Sequence, residues 1–172
     1  MLVVPHLIFG AALGQAVNDL PGATVLAFGL GVASHYFLDS LPHWERLVGY
    51  KGSDFDPARP ASEWPRGYLI HATIDVILAA LLLVYLMWRV PHGQFYQNPV
   101  FWGALGAVLP DLLDNVPFWS GKIANWPIFK QERYIHRYFH ITDESQQHMP
   151  KYLGLVTQIA VFLFGAWIIL MS

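Results

Sequence analysis

Apolar residues in this chain fall into five long runs that contain few charged side chains. The runs cover residues 2–17, 22–41, 67–90, 99–114 and 151–171. Several of them approach the roughly 20 residues that an α-helix needs to cross a bilayer. The pattern therefore predicts an all-α protein, a polytopic membrane bundle of about five transmembrane helices that forms a single domain over residues 1–172.

Two polar connections separate these runs, at residues 42–66 and 115–150. Both are longer than the usual loops of a compact domain, so we expect them to cap a site or to lie on the membrane surface. Within the second connection, residues 131–148 are compatible with a helix, because His136, His140 and Glu144 recur at intervals of four.

The amino-acid composition limits which ligands could hold a metal in this chain. The chain is 55% hydrophobic and 13% charged, with a mean hydropathy of +0.37, which is too apolar for an ordinary soluble domain. It has no cysteine, so disulfides and thiolate metal sites are excluded. Any metal must be held by His, Asp, Glu, Asn or water. A net charge of −2 gives no reason to expect a nucleic acid partner.

Histidines and carboxylates interrupt the apolar runs at helical spacing. His35 and Asp39 are four residues apart, which places them on one face of a helix. His71 and Asp75 repeat the spacing in the third run. Ionisable groups inside apolar segments are costly in lipid, so we interpret them as functional. The alternative is a His–Asp hydrogen bond that ties two helices together.

Other candidates lie at the ends of the runs and in the connections. The predicted metal ligands are His6, His35, Asp39, His43, His71, Asp111, Asp114, His136, His140 and Glu144. Asp75 and Glu45 are the predicted general bases. For the histidines of residues 131–148 the alternative is an amphipathic helix on the membrane surface.

Alternating spans would bring all these groups to one side of the membrane. That side also carries most of the basic residues, which concentrate in cytoplasmic loops. The sequence therefore predicts a multi-pass inner-membrane protein with its N-terminus inside, its C-terminus outside and a composite site at the cytoplasmic face. Because no basic segment precedes the first run, we expect a retained helix there and not a signal peptide.

Four short motifs carry a family resemblance. H-L-I-F-G-A-A, A-S-H-Y-F-L-D-S-L-P-H, A-V-L-P-D-L-L-D and H-R-Y-F-H resemble motifs of the bacterial inner-membrane metal-dependent hydrolases. More distantly, H-Y-F-L-D-S-L-P-H is similar to the metal-binding helix of zinc-dependent phospholipase C, and His140 with Glu144 matches its H-x-x-x-E element. Here Asp114 lies one position later than the second Asp of the hydrolase family's L-P-D-x-D-type turn. His43 also follows Asp39 after fewer residues than in the phospholipase. The resemblance implies a metal-dependent hydrolase.

The residues and the resemblance together predict a membrane-embedded hydrolase that acts on a phosphoester, either a lipid or a small molecule, through a metal-activated water. The expected cofactor is zinc, as one or two ions, and manganese or iron would suit the same ligands. Membrane lipids are the expected surroundings. Two alternatives stay open at this point: a divalent metal transporter, and a non-catalytic membrane protein with a structural metal site.

Overall fold

The computed structural model describes residues 1–43, 66–89, 94–116, 119–123, 125–139 and 150–171. These residues form seven α-helices, one short 3-10 turn and no strand, which confirms the predicted all-α class. The helices are α1 (Val3–Ala16), α2 (Ala23–Asp39), α3 (Arg66–Arg89), α4 (Pro99–Asp114), α5 (Ser120–Ile123), α6 (Pro127–Phe139) and α7 (Lys151–Met171).

Helix α4 lies between α1 and α2, where glycines allow the backbones to touch. A Cβ atom built on Gly103 would collide with the carbonyl oxygen of Gly10, and one on Gly106 would collide with the carbonyl oxygen of Phe28. Small residues permit this close approach, which replaces side-chain contacts by backbone contacts. The central three helices are therefore closely packed, and they carry five of the histidines and aspartates described below, namely His6, His35, Asp39, Asp111 and Asp114.

Helices α3 and α7 pack at the periphery and leave most of their aliphatic surface exposed. Only these two of the described helices are long and apolar enough to cross a membrane, over Leu69–Arg89 and Tyr152–Met171. The sequence predicted about five spans. Helices α1, α2 and α4 have 14, 17 and 16 residues, because turns and the last polar residues take up part of each predicted run.

Polar contacts join the same end of several helices. The backbone amide of Leu2 donates to Gln158 Oε1 in α7, over 3.2 Å. The amides of Val3 and Val4 donate to the Asp75 carboxylate in α3. The start of α1 therefore lies beside the first half of α3 and of α7, and it adjoins the end of α2.

Candidate metal centre

Asp39, at the last turn of α2, is the fully buried centre of a polar cluster. Its Oδ1 accepts a hydrogen bond from the Met1 amino group at 2.7 Å and lies 3.0 Å from His6 Nε2. Its Oδ2 lies 3.2 Å from the Nε2 atoms of both His35 and His136. The buried carboxylate thus joins α1, α2 and α6 at one point.

The Nε2 atoms of His35 and His136 are also 3.2 Å apart. Together with Asp39 Oδ2 they form an equilateral triangle of possible ligand atoms. Tetrahedral zinc with bonds of about 2.0–2.1 Å separates its ligand atoms by about 3.3–3.4 Å. The triangle therefore fits three corners of a tetrahedral metal site.

Hydrogen bonds on the opposite ring nitrogens orient both imidazoles. His35 Nδ1 lies 2.8 Å from the carbonyl oxygen of Ala107, which can only accept, so Nδ1 carries the proton. His136 Nδ1 lies 3.1 Å from Asp114 Oδ2. In each ring the Nε2 atom is then the one presented to the centre. Such outer hydrogen bonds fix the orientation of metal-binding histidines in proteins.

Arg133 holds Asp114 in place. Its Nε donates to Asp114 Oδ1 at 2.8 Å, and its Nη2 donates to the carbonyl oxygen of Ser120 at 3.3 Å. The structure therefore places Asp114, a predicted metal ligand, where it can orient His136. These two bonds engage two of the five N–H donors of the Arg133 guanidinium group.

Further donor atoms adjoin the triangle. Single ligand atoms of His6, His35 and Asp111 lie within 4.8 Å of one another, and the rings of His6 and His35 stack with their centroids 4.2 Å apart. Asp111 Oδ1 is also 4.0 Å from His136 Nε2. Asp111 and His6 are therefore neighbours in the cluster, although 105 positions separate them in the chain.

Glu132 is a member of the cluster that sequence reasoning missed. Its Oε1 accepts from the Tyr36 hydroxyl at 3.2 Å and lies 3.9 Å from His136 Nδ1. Ligand atoms of Asp114, Glu132 and His136 also lie within 4.8 Å of one another. The signal was present, because Glu132 precedes His136 by four residues in α6.

Two ionisable groups of α6 titrate far from their usual range. Burial disfavours the charged form of His136, but hydrogen bonds to Asp114 and Asp39 outweigh it and raise the pKa of the imidazole to about 10. Burial, assisted by the nearby Asp114 charge, raises the pKa of the Glu132 carboxyl to about 7.

Three predicted residues fall outside these donor groups. His71 Nδ1 lies 2.7 Å from the carbonyl oxygen of Gly67 in its own helix. Asp75 accepts the two amides at the start of α1, as described above, and so caps that helix. His43 is buried, and its Nδ1 lies 2.8 Å from the carbonyl oxygen of Leu41.

Glu45, His140 and Glu144 lie outside the described residues, so their predicted roles stay predictions. Comparisons with protein-family models, with curated proteins and with solved structures find no match to this chain. The resemblance to metal-dependent hydrolases therefore rests on the short motifs alone.

Proposed function

We propose that this protein is a membrane-embedded, metal-dependent hydrolase that acts on a phosphoester. The observation that carries the proposal is the triangle formed by His35 Nε2, His136 Nε2 and Asp39 Oδ2, with all three sides 3.2 Å long. Three protein ligands with a fourth position left for water are typical of catalytic zinc sites, whereas structural sites use four protein ligands.

A zinc ion held by these three residues would lower the pKa of a bound water to about 7 and so supply a nucleophile at neutral pH. The residues of the chain then have distinct tasks. Asp114 and the carbonyl group of Ala107 orient the two imidazoles. Asp111 is the adjacent carboxylate, and its Oδ1 also accepts from the Asn115 side chain at 2.9 Å. We assign it the general base, or a further ligand.

The same donor set suits iron, because two histidines and one carboxylate with open positions also bind ferrous ions. Zinc remains the first choice because the ligand separations match a tetrahedral site. The phosphoester class is supported only by the motif resemblance, since Arg133 is paired with Asp114 and the exposed Lys130 lies on the outer side of α6.

We place α3 and α7 across the inner membrane, with the shorter α1, α2 and α4 in the same bundle. The bilayer would be thinner around these shorter helices, or the longer helices would shield them from lipid. The cluster then lies near one membrane surface. The basic residues of segments 42–66 and 115–150 support a cytoplasmic surface, with the N-terminus inside and the C-terminus outside.

A transporter would need polar groups along the whole depth of the bundle. Among the described residues, the buried ionisable side chains gather at the end of the bundle where Asp39 lies. This distribution favours a site with one opening, as in an enzyme that works at a membrane surface.

Metal analysis of the purified protein tests the proposal. We expect one zinc ion per chain, metal-dependent hydrolysis of an aryl phosphodiester, and loss of both in His35→Ala and His136→Ala. His71→Ala is the matched control, because His71 lies outside the donor groups, and it should retain metal and activity. Wild-type protein that neither binds a divalent ion nor hydrolyses a phosphoester after metal loading would overturn the proposal.

A further inference from the structure

Helix α6 has its ionic and apolar faces reversed relative to a helix on the surface of a soluble protein. Glu132, Arg133 and His136 contact the polar cluster, as described above. The rest of the helix surface that the structure describes carries the exposed Lys130 and Gln131 and five large exposed apolar or aromatic side chains. We call those five the outward face; they are Ile128, Tyr134, Ile135, Tyr138 and Phe139.

The outward face extends along the helix in two stripes. Ile128 and Ile135 are seven residues apart, and Tyr134 and Tyr138 are four apart, so each pair lies on one stripe, with the exposed Gln131 between the two stripes. Ile128, Tyr134 and Tyr138 are 76%, 73% and 74% exposed. Exposed apolar side chains grouped in this way and edged by polar residues are typical of contact with a membrane or with another protein.

The surroundings of α6 favour a lipid surface. Trp119 and Trp126, just before the helix, are exposed, and Trp and Tyr concentrate where a membrane meets water. Lys122 and Lys130 are exposed nearby, which suits anionic headgroups. The aliphatic surfaces of α3 and α7, long enough to cross a bilayer, are exposed on the same molecule.

We propose that the outward face of α6 lies in the headgroup region of an anionic membrane. An α-helix is about 10 Å across with its side chains. His136, on the inner side of α6, then lies within about 10 Å of the headgroups.

The depth of α6 can be measured directly, because the chain contains no cysteine and accepts single labels. Ile128→Cys and Tyr138→Cys would carry a nitroxide on the outward face. Asp19→Cys, in the exposed turn after α1, and Leu163→Cys, on the exposed surface of α7, are the references for water and for the acyl chains. Each labelled protein is placed in vesicles of phosphatidylglycerol and phosphatidylcholine.

The readout is the ratio of nitroxide collisions with oxygen, which is lipid-soluble, to collisions with a water-soluble nickel chelate. We expect the ratios at residues 128 and 138 to fall between those of the two references. A ratio equal to that at residue 19 would overturn the proposal in favour of a solvated face. Labels protected from both reagents would overturn it in favour of a protein partner or a second copy.

Discussion

The Nε2 atoms of His35 and His136 lie 3.2 Å apart, although 101 positions separate the two residues in the chain. Two imidazole nitrogens at this distance need a shared proton or a bound metal ion between them, because their lone pairs otherwise repel. The Asp39 carboxylate lies at the same distance from both. The arrangement brings α2 and α6 together around Asp39, and four predictions follow from the way the fold supports it.

Removal of the carboxylate behind His136 should weaken metal binding without abolishing it. Asp114→Ala deletes the acceptor for His136 Nδ1 and releases Arg133. Loss of such an outer hydrogen bond costs about 10–100-fold in metal affinity. Zinc titration with a competing chelator checks this, with one ion still bound at saturation. Asp114→Asn keeps an acceptor oxygen and should lose less; an equal loss of affinity in both variants would show that charge, and not orientation, is what Asp114 contributes.

Metal binding should release a proton from His136. Its pKa is raised to about 10, so the imidazole is protonated at neutral pH and must become neutral to bind a metal. Affinity for zinc should therefore rise with pH, about tenfold per unit between pH 7 and 9. Calorimetric titration in buffers of different ionisation enthalpy counts the released protons.

The matched variant for proton release is Asp114→Ala, in which the hydrogen bond that favours the imidazolium is lost and fewer protons should be released. An affinity that is flat across this pH range, or that falls as pH rises, would contradict the role assigned to His136.

Close contact of the central helices should make α4 intolerant of a methyl group. Gly103→Ala places a Cβ against the carbonyl of Gly10, and overpacking of this kind costs about 1–3 kcal/mol. Gly29→Ala is the control, since nothing lies within 4 Å of its Cβ position; it should be neutral or stabilising by up to about 1 kcal/mol. Thermal unfolding in detergent compares the two. A Gly103→Ala variant as stable as the wild type would show that the helices are further apart.

Asp75 should contribute to stability and not to the chemical step. Its carboxylate accepts hydrogen bonds from the amides of Val3 and Val4. These amides lie in the first turn of α1 and so have no acceptor within the helix itself. Asp75→Ala should lower the free energy of unfolding by about 0.5–2 kcal/mol. The sequence also predicts Asp75 as a general base, and loss of such a base reduces kcat by about 10²–10⁴-fold. A normal unfolding temperature with a collapse of kcat would establish the catalytic role.

Sequence and structure agree where spacing within one helix carries the information. His35 and Asp39 are correctly placed on one face of α2, and the all-α class follows from the long apolar runs. The same spacing does not reveal that His71 and Asp75 lie outside the donor groups. Their partners are backbone groups of α3 and α1. Their different surroundings arise from how helices pack, and the local sequence does not record that packing.

Glu132 was missed by sequence analysis for a related reason. Glu132 has the sequence context of an ordinary charge on a surface helix, and its place in the cluster is evident only when α6 packs against α2 and α4. Only two of the five predicted spans are helices long and apolar enough to cross a membrane by themselves. Apolar runs arise from burial and from membrane contact alike: α4 is apolar since it packs between α1 and α2, while α7 is apolar with much of its surface exposed.

X-ray absorption spectroscopy of the zinc-loaded protein, compared with His136→Ala, tests the central claim most directly. The geometry predicts one zinc ion per chain with two imidazole ligands and one carboxylate at about 2.0–2.1 Å, and a spectrum in which the variant has lost one imidazole or the ion itself. A wild-type protein that binds no stoichiometric zinc, or a spectrum that His136→Ala leaves unchanged, would contradict it.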